Sequence, residues 1–303
     1  MAKRFGYEIV VIGIFDRGTL TAAMPGFLRR FGPVRLFGSP LRGTMTPYLG
    51  PLGITLGASN GSLIGLIKMC NSFAREHWGV MYTEFSLREL STSYGDELRE
   101  SWERGTWTSY VLDLSPGEES LWDRMETRFR RHVRKSQRLG LRIVPLEDAR
   151  LYHRMHNETL GRRGISELYT ESFFQQLLDV PAEFLWALGV EYEGHTIAAG
   201  IFFHDDCEVH YLSGASFSQY RSLPTSYLLH WHIVTSAVRA GLRIYDLGAR
   251  PTANVDLFKK SLNPELTNHY FLSEASNSVR YVKNFFVSSL PRLTRIKRWL
   301  TTS

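Results

Sequence analysis

The chain has 303 residues, 36 basic against 30 acidic side chains and a net charge of +6, with 43% hydrophobic and 22% charged residues; it is long enough for one large globular domain or two of about 150 residues. A 13% aromatic content without low-complexity tracts excludes disorder over most of the length. The charge is localised: residues 122–142 carry eight basic groups against two acids, residues 275–303 carry six with no acid, and the remaining body is slightly acidic.

From the start, the run Ile9 to Phe15 is seven residues bounded by Glu8 and Asp16, far short of the roughly 20 that cross a bilayer. No small-residue cleavage site follows it, which argues against a signal peptide. Ile12 to Phe27, IGIFDRGTLTAAMPGF, returns as Leu188 to Phe203, LGVEYEGHTIAAGIFF, with Gly13/Gly189, Gly18/Gly194, Ala22/Ala198 and Ala23/Ala199 at one offset. Each copy has an apolar run, a charged turn ending in Gly and a second apolar run, the pattern of a β-hairpin.

A similar order follows each hairpin. The first leads to a strand over Val34–Gly38, a Gly- and Pro-rich loop, a helix over Gly61–His77 and a strand over Val80–Leu87. The second leads to a strand over Cys207–Ser213, a helix over Leu223–Ala240 and a strand over Leu242–Leu247. A further strand is expected to close each unit, Thr106–Leu114 the first and Leu266–Leu272 the second. Between the units, Ser115, Pro116 and Glu118 suggest a capping box opening one helix that runs to Leu139. Its stripe is Trp122, Met125, Phe129 and Val133, and arginines cover its other faces. Two helical segments, Glu147–Leu160 and Thr170–Leu178, precede the second hairpin. The first hairpin begins within ten residues of Met1, so the first unit is expected to be reduced, by nature or by loss of a leading segment. The expected division is therefore 1–114, a reduced first unit; 115–140, a basic linker helix; 141–275, the second unit; and 276–303, a basic helical tail. Cys70 and Cys207 lack CxxC spacing and are expected to be reduced, buried thiols of a cytoplasmic protein. Pro291 to Leu300 mixes Leu293, Ile296, Trp299 and Leu300 with basic residues, suited to peripheral contact with an anionic membrane at its inner face.

The stretches WDRMETRFRRHVRKSQRLGLRIV, NETLGRRG, VHYLSGAS and YDLGARPTANVDLFKKSLN together resemble the FemAB-like and CelD-like branch of the Gcn5-related N-acyltransferase (GNAT) superfamily. The resemblance implies an α/β (α+β) fold of tandem GNAT-type units, with mixed, mainly antiparallel sheets flanked by helices. It also implies an acyltransferase. The acyl donor would be acyl-CoA, or aminoacyl-tRNA as in FemAB proteins. The acceptor would be an amine or hydroxyl of a cell-envelope polysaccharide, a lipid-linked precursor or a peptidoglycan precursor.

Such chemistry needs oxyanion stabilisation, proton removal from the nucleophile and a grip on the donor. Lys259, from the family's Phe-Lys motif, is the candidate for stabilising negative charge, with Asp246 and Tyr211 beside it as catalytic candidates. A turn-forming role serves Asp246 equally well. Tyr211 to Gly214 suit a bulge, which makes Ser213 and Gly214 donor-binding candidates. Arg221, Ser222 and Thr225 join them, although the stretch from Gln219 to Thr225 has no glycine and Pro224 removes an amide donor. Arg162, Arg163, Arg250 and Asn254 are acceptor-binding candidates. His153 with His156, and the group from His204 to His210, lack metal-site spacing, so no metal is expected. A binding module that uses its basic faces on RNA or an anionic membrane is the alternative from another class.

Overall fold

The computed structural model describes residues 6–42, 44, 46–53, 61–88, 102–249, 253–276 and 279. Nearly all of the basic tail, and Arg250, lie outside them. The chain divides into two compact units, Met1–Trp107 with Asn268–Ser303, and Thr108–Thr267.

In the first unit β1 (Tyr7–Asp16), β2 (Thr19–Phe31) and β3 (Val34–Ser39) form an antiparallel meander. Helix α1 (Gly61–Trp78) then returns the chain to β4 (Tyr82–Arg88), parallel to β3. The second unit begins within β5 (Glu103–Asp113) and continues through α2 (Gly117–Arg124), α3 (Thr127–Arg138), β6 (Arg142–Pro145), α4 (Ala149–Gly161) and α5 (Glu171–Leu178). Strands β7 (Leu185–Tyr192), β8 (His195–His204) and β9 (Glu208–Ser216) follow, then α6 (Thr225–Arg239), β10 (Ile244–Ala249) and α7 (Ala253–Lys260). Its strands run in the order β5, β10, β9, β8, β7, β6, with β10 parallel to β9 and the other pairs antiparallel. The chain then goes back to the first unit through β11 (Glu265–Ala275), antiparallel to β4. These are mixed, mainly antiparallel sheets with flanking helices, an α/β architecture.

The closing strands are exchanged relative to the expectation from sequence order. β5 pairs with β10 and β11 with β4. A sheet edge selects its neighbour by register and burial, and both strands carry similar patterns, so their place in the sequence does not say which edge each will join.

The repeated segments are matching hairpins down to the bulge. Gly13 lies opposite Ala23 and Gly189 opposite Ala199, and the register shifts at Ile14/Phe15 in one copy and Val190/Glu191 in the other. Both turns put two residues at positive φ, Arg17 (47°) with Gly18 (83°) and Glu193 (51°) with Gly194 (78°). A two-residue turn of that kind matches the twist of the flanking strands.

Two cores result. In the first unit Leu63, Ile64, Ile67, Cys70 and Ala74 of α1 pack on Met24, Phe37 and Phe85 of the sheet. In the second, Leu121, Met125, Phe129 and Val133 pack with Leu229, Ile233 and Ala237 of α6 over Phe202 and Tyr245. The expected linker helix is therefore part of the second core, and it is two helices. Met125 takes an extended conformation (ψ 147°) and the Glu126 N–H bonds Ser261 O at 3.0 Å. The stripe of three- and four-residue spacing passes through this break, which is why the sequence pattern reads as one helix. The capping box is not formed either: Ser115 turns its hydroxyl back to Asp113 at 2.9 Å, and α2 begins without a side-chain cap. Of the two cysteines Cys70 is buried, with its thiol pushed up to about 12 by burial. Cys207 is only half-buried and accepts from Arg243 at 3.3 Å. Among the described residues no helix is long and apolar enough to cross a membrane.

Candidate active site

Strands β9 and β10 pair in parallel over three residues only, Glu208 with Ile244, Val209 with Tyr245 and His210 with Asp246. Beyond that point each continues without the other: β9 runs on to Ser216 against β8, and β10 to Ala249 against β5. β9 also bulges there, since Phe202 faces Tyr211 while Ile201 faces Ser213, leaving Leu212 as the extra residue. The parallel ladder thus ends at Asp246, and beyond it, among the described residues, β9 and β10 no longer pair with each other, which opens a candidate cleft between them.

Helix α7 returns Phe258 and Lys259 to this opening. Lys259 is 4% exposed; its ammonium donates to Gly248 O at 3.2 Å and Ala249 O at 2.7 Å, and lies 5.8 Å from the centre of the Tyr211 ring. Burial draws its pKa down to about 8, against the pull of Asp246 and Asp256. Lys260 points elsewhere, paired with Asp256 at 2.9 Å. Asp256 in turn accepts from Tyr110 at 2.7 Å.

Asp246 is buried. Its Oδ1 accepts the Gly248 N–H at 2.7 Å, which fixes the glycine at φ +76°, and its Oδ2 lies 3.4 Å from Ser109 Oγ. The same Oδ2 is 4.0 Å from Nδ1 of His210, whose Nε2 is 3.2 Å from Glu208. A histidine between two carboxylates at the mouth of the cleft is a proton-handling arrangement. His210 is absent from the catalytic candidates drawn from the sequence, because a lone histidine in a strand has no spacing signal. Only its position opposite Asp246 reveals it.

Tyr211 packs its hydroxyl tightly on Gly214, leaving no space there for a Cβ, and burial pushes its pKa up to about 12, partly offset by Arg163. Beneath it, His230 and Tyr245 share a 2.6 Å hydrogen bond. Burial, with Lys259 nearby, lowers the His230 pKa to about 3, so its ring is neutral at physiological pH. Ser213 accepts from the buried Tyr152 at 2.8 Å.

The arginines of the TLGRRG stretch divide. Arg162 is committed to the end of β9, donating to Ser216 O at 3.0 Å, Ser218 Oγ at 2.9 Å and Thr159 Oγ1 at 2.9 Å. Burial and the neighbouring Arg221 lower its pKa. Arg163 is exposed and its charge acts on Tyr211. Arg221 and Ser222 are exposed in the turn before α6, while Thr225, its first residue, is buried. Asn254 belongs to the first turn of α7, not to a loop.

The N-terminus of α6 has no acid in its first turn and no side-chain cap. Pro224 offers no amide and the Thr225 N–H is taken by Leu223 O at 2.9 Å, which leaves the Ser226 and Tyr227 amides facing outward. Helix α3 lies against this end: Ser136 Oγ donates to Pro224 O at 2.9 Å and His132 stacks on Tyr227 at 4.4 Å. The outer side of α3 lines an open concavity of about 870 Å³ with Thr127, Arg130, Arg131, Arg134, Gln137 and Arg138. Among the described residues no three His, Cys, Asp or Glu side chains gather as a metal site.

Residues 123–259, which contain every element of this cleft from α3 to α7, match the acetyltransferase (GNAT) domain family. The match identifies those residues as an N-acyltransferase domain, and the chain is an acyltransferase. No curated protein sequence matches the chain. FemX shares its fold at 12% identity and a TM-score of 0.72, over 92% of this chain and 90% of that one. The C-terminal domain of a putative lysylphosphatidylglycerol synthetase from Agrobacterium fabrum does so at 11% identity and 0.57, over 94% and 89%. A tandem GNAT protein from the clavulanic acid biosynthesis pathway does so at 11% and 0.52, over 89% and 83%. In fold, the acyltransferase is thus of the tandem, FemAB-like kind.

Proposed function

We propose that this acyltransferase moves an acyl group from an acyl-CoA thioester to an amine or hydroxyl of a cell-envelope saccharide or peptidoglycan precursor, with the reaction in the cleft between β9 and β10. The observation that carries this reading is the opening of the parallel ladder at Asp246 and His210 within the matched domain. The envelope acceptor rests on the resemblance to FemAB proteins, supported in fold by FemX and the lysylphosphatidylglycerol synthetase domain.

The residues fit CoA phosphates at the start of α6. Arg221, the Ser222 hydroxyl and the amides of Ser226 and Tyr227 supply donors where the helix dipole favours anions, and no acid opposes them. CoA supplies the activated thioester. The β9 amides at the bulge next to Leu212, beyond the end of the ladder to β10, would stabilise the oxyanion as the acceptor attacks. His210, held between Glu208 and Asp246, would take the nucleophile's proton and return it to the departing sulfur as the thioester C–S bond breaks, so that CoA leaves as the free thiol. Lys259 is a positioning residue: its bonds to Gly248 and Ala249 fix the backbone at the end of β10. Arg163 lies where it offers positive charge to an anionic acceptor.

A second reading, aminoacyl-tRNA as donor, is favoured by the arginine face of α3 beside the α6 N-terminus and by Pro224 at its cap. A thermal melt with CoA decides between them. CoA at about 100 times its dissociation constant stabilises by about 2.7 kcal/mol, and loss of that shift in Arg221→Ala is expected. No shift at millimolar CoA, with a shift on adding charged tRNA, would overturn CoA in favour of tRNA.

A further inference from the structure

The two copies of the hairpin differ at their outer edge. In the second unit β7 is covered by β6, with Ile143 opposite Val190, Val144 opposite Gly189 and Pro145 opposite Leu188. In the first unit the corresponding strand, β1, ends the sheet and pairs with β2 alone among the described residues. Burial follows this difference. Leu185 and Gly189 are buried, whereas their counterparts Ile9 and Gly13 are exposed. On the outward face Ile9, Val11 and Phe15 are 66%, 60% and 64% exposed, and Leu20, opposite Phe15, is 54% exposed.

Edge strands usually carry charge, proline or a bulge that prevents further pairing. β1 has no proline, its charges are Glu8 and Asp16 near its ends, and its register shift comes only at Ile14/Phe15. The apolar middle of the edge is unprotected.

We propose that this edge is a homodimer interface, in which β1 of a second copy pairs antiparallel with β1 in the position that β6 takes on β7. A two-fold axis through the sheet makes identical strands antiparallel, and the contact closes on itself, the same orientation as β6 on β7. With the axis at Val11, Tyr7 faces Phe15 of the second copy, Ile9 faces Gly13 and Val10 faces Ile12. Glu8 then faces Ile14, so the two acids oppose no like charge. Ten strand residues a side is below the roughly 20–30 of a standard interface, so the dimer is in concentration-dependent exchange.

Light scattering or sedimentation of the full chain over a concentration series tests this, with a doubling of mass expected as concentration rises. Val11→Lys, which puts two like charges on the axis, should keep the chain monomeric. Should that variant fail to fold, Val11→Cys in a Cys207→Ser background should form a disulfide-linked dimer under mild oxidation, faster than Glu193→Cys in the exposed second turn. A wild-type monomer at every concentration, a dimer that survives Val11→Lys in folded protein, or cross-linking no faster than at Glu193 would overturn the proposal and leave the edge to a different strand.

Discussion

Lys259 shows how much one buried cation does at the cleft. Its side chain is almost inaccessible and its protons go to two carbonyls at the end of β10, so its first task is to fix the backbone beside Asp246. Its folded pKa of about 8 is below the ordinary 10.5. The unfolded chain therefore binds more protons between those values, and stability rises with pH across that window. Burial of the charged form is a cost below pH 8 that is relieved as the proton leaves. In thermal melts from pH 7 to 10.5 the wild type should gain on Lys259→Met above pH 8, because the variant lacks this group while sharing every other titration. Equal slopes for the two proteins would mean that Lys259 is not held in this buried, carbonyl-bonded state. The counterpart acid in the first unit is Glu84, opposite Gly38 as Asp246 is opposite His210. It is buried and accepts from Tyr82 at 2.6 Å, and burial raises its pKa. The duplication thus reaches a single carboxylate in each sheet.

At the scale of elements, the hairpins were the most legible part of the chain because their turns need glycine. Gly194 and Gly18 sit at φ 78° and 83°, where a residue with a Cβ costs about 1–2 kcal/mol. Gly194→Ala should destabilise by about that amount, and Glu193→Asn, which suits the left-handed position before it, should act in the opposite direction. Urea melts of the two variants check both signs. Other elements left weaker marks. The break at Met125 is invisible because the apolar stripe keeps its spacing across it, and the Glu126 amide that leaves the helix finds its partner in Ser261, far along the chain. Helix α7 has eight residues and no clear stripe, so the Asp246 and Lys259 motif was readable while the helix that brings Lys259 back was not. His210 needed the register of β9 on β10 to be seen at all.

For the whole molecule, sequence order suggested two consecutive units, and strand pairing divides the chain differently. We propose 108–267 as the second unit, with β5 as its own strand and β11 returned to the first. β5 is integral to the cleft: Ser109 faces Asp246, Tyr110 is buried and bonds Asp256, and Leu112 lies in the same core as Phe129 and Tyr245. A fragment of residues 115–275 would lose those contacts, leave β10 without its antiparallel neighbour and carry β11 without β4. Removing the buried Tyr110 and Leu112 side chains alone forfeits several kcal/mol of apolar burial, at roughly 1.5–3 kcal/mol for each large side chain, against a typical domain stability of about 5–15 kcal/mol. Residues 108–267 expressed alone should therefore melt cooperatively with dispersed amide resonances, and residues 115–275 should not. If the two fragments fold equally well, β5 is dispensable and the unit boundary falls after it; if only 115–275 folds, the exchange of closing strands is wrong.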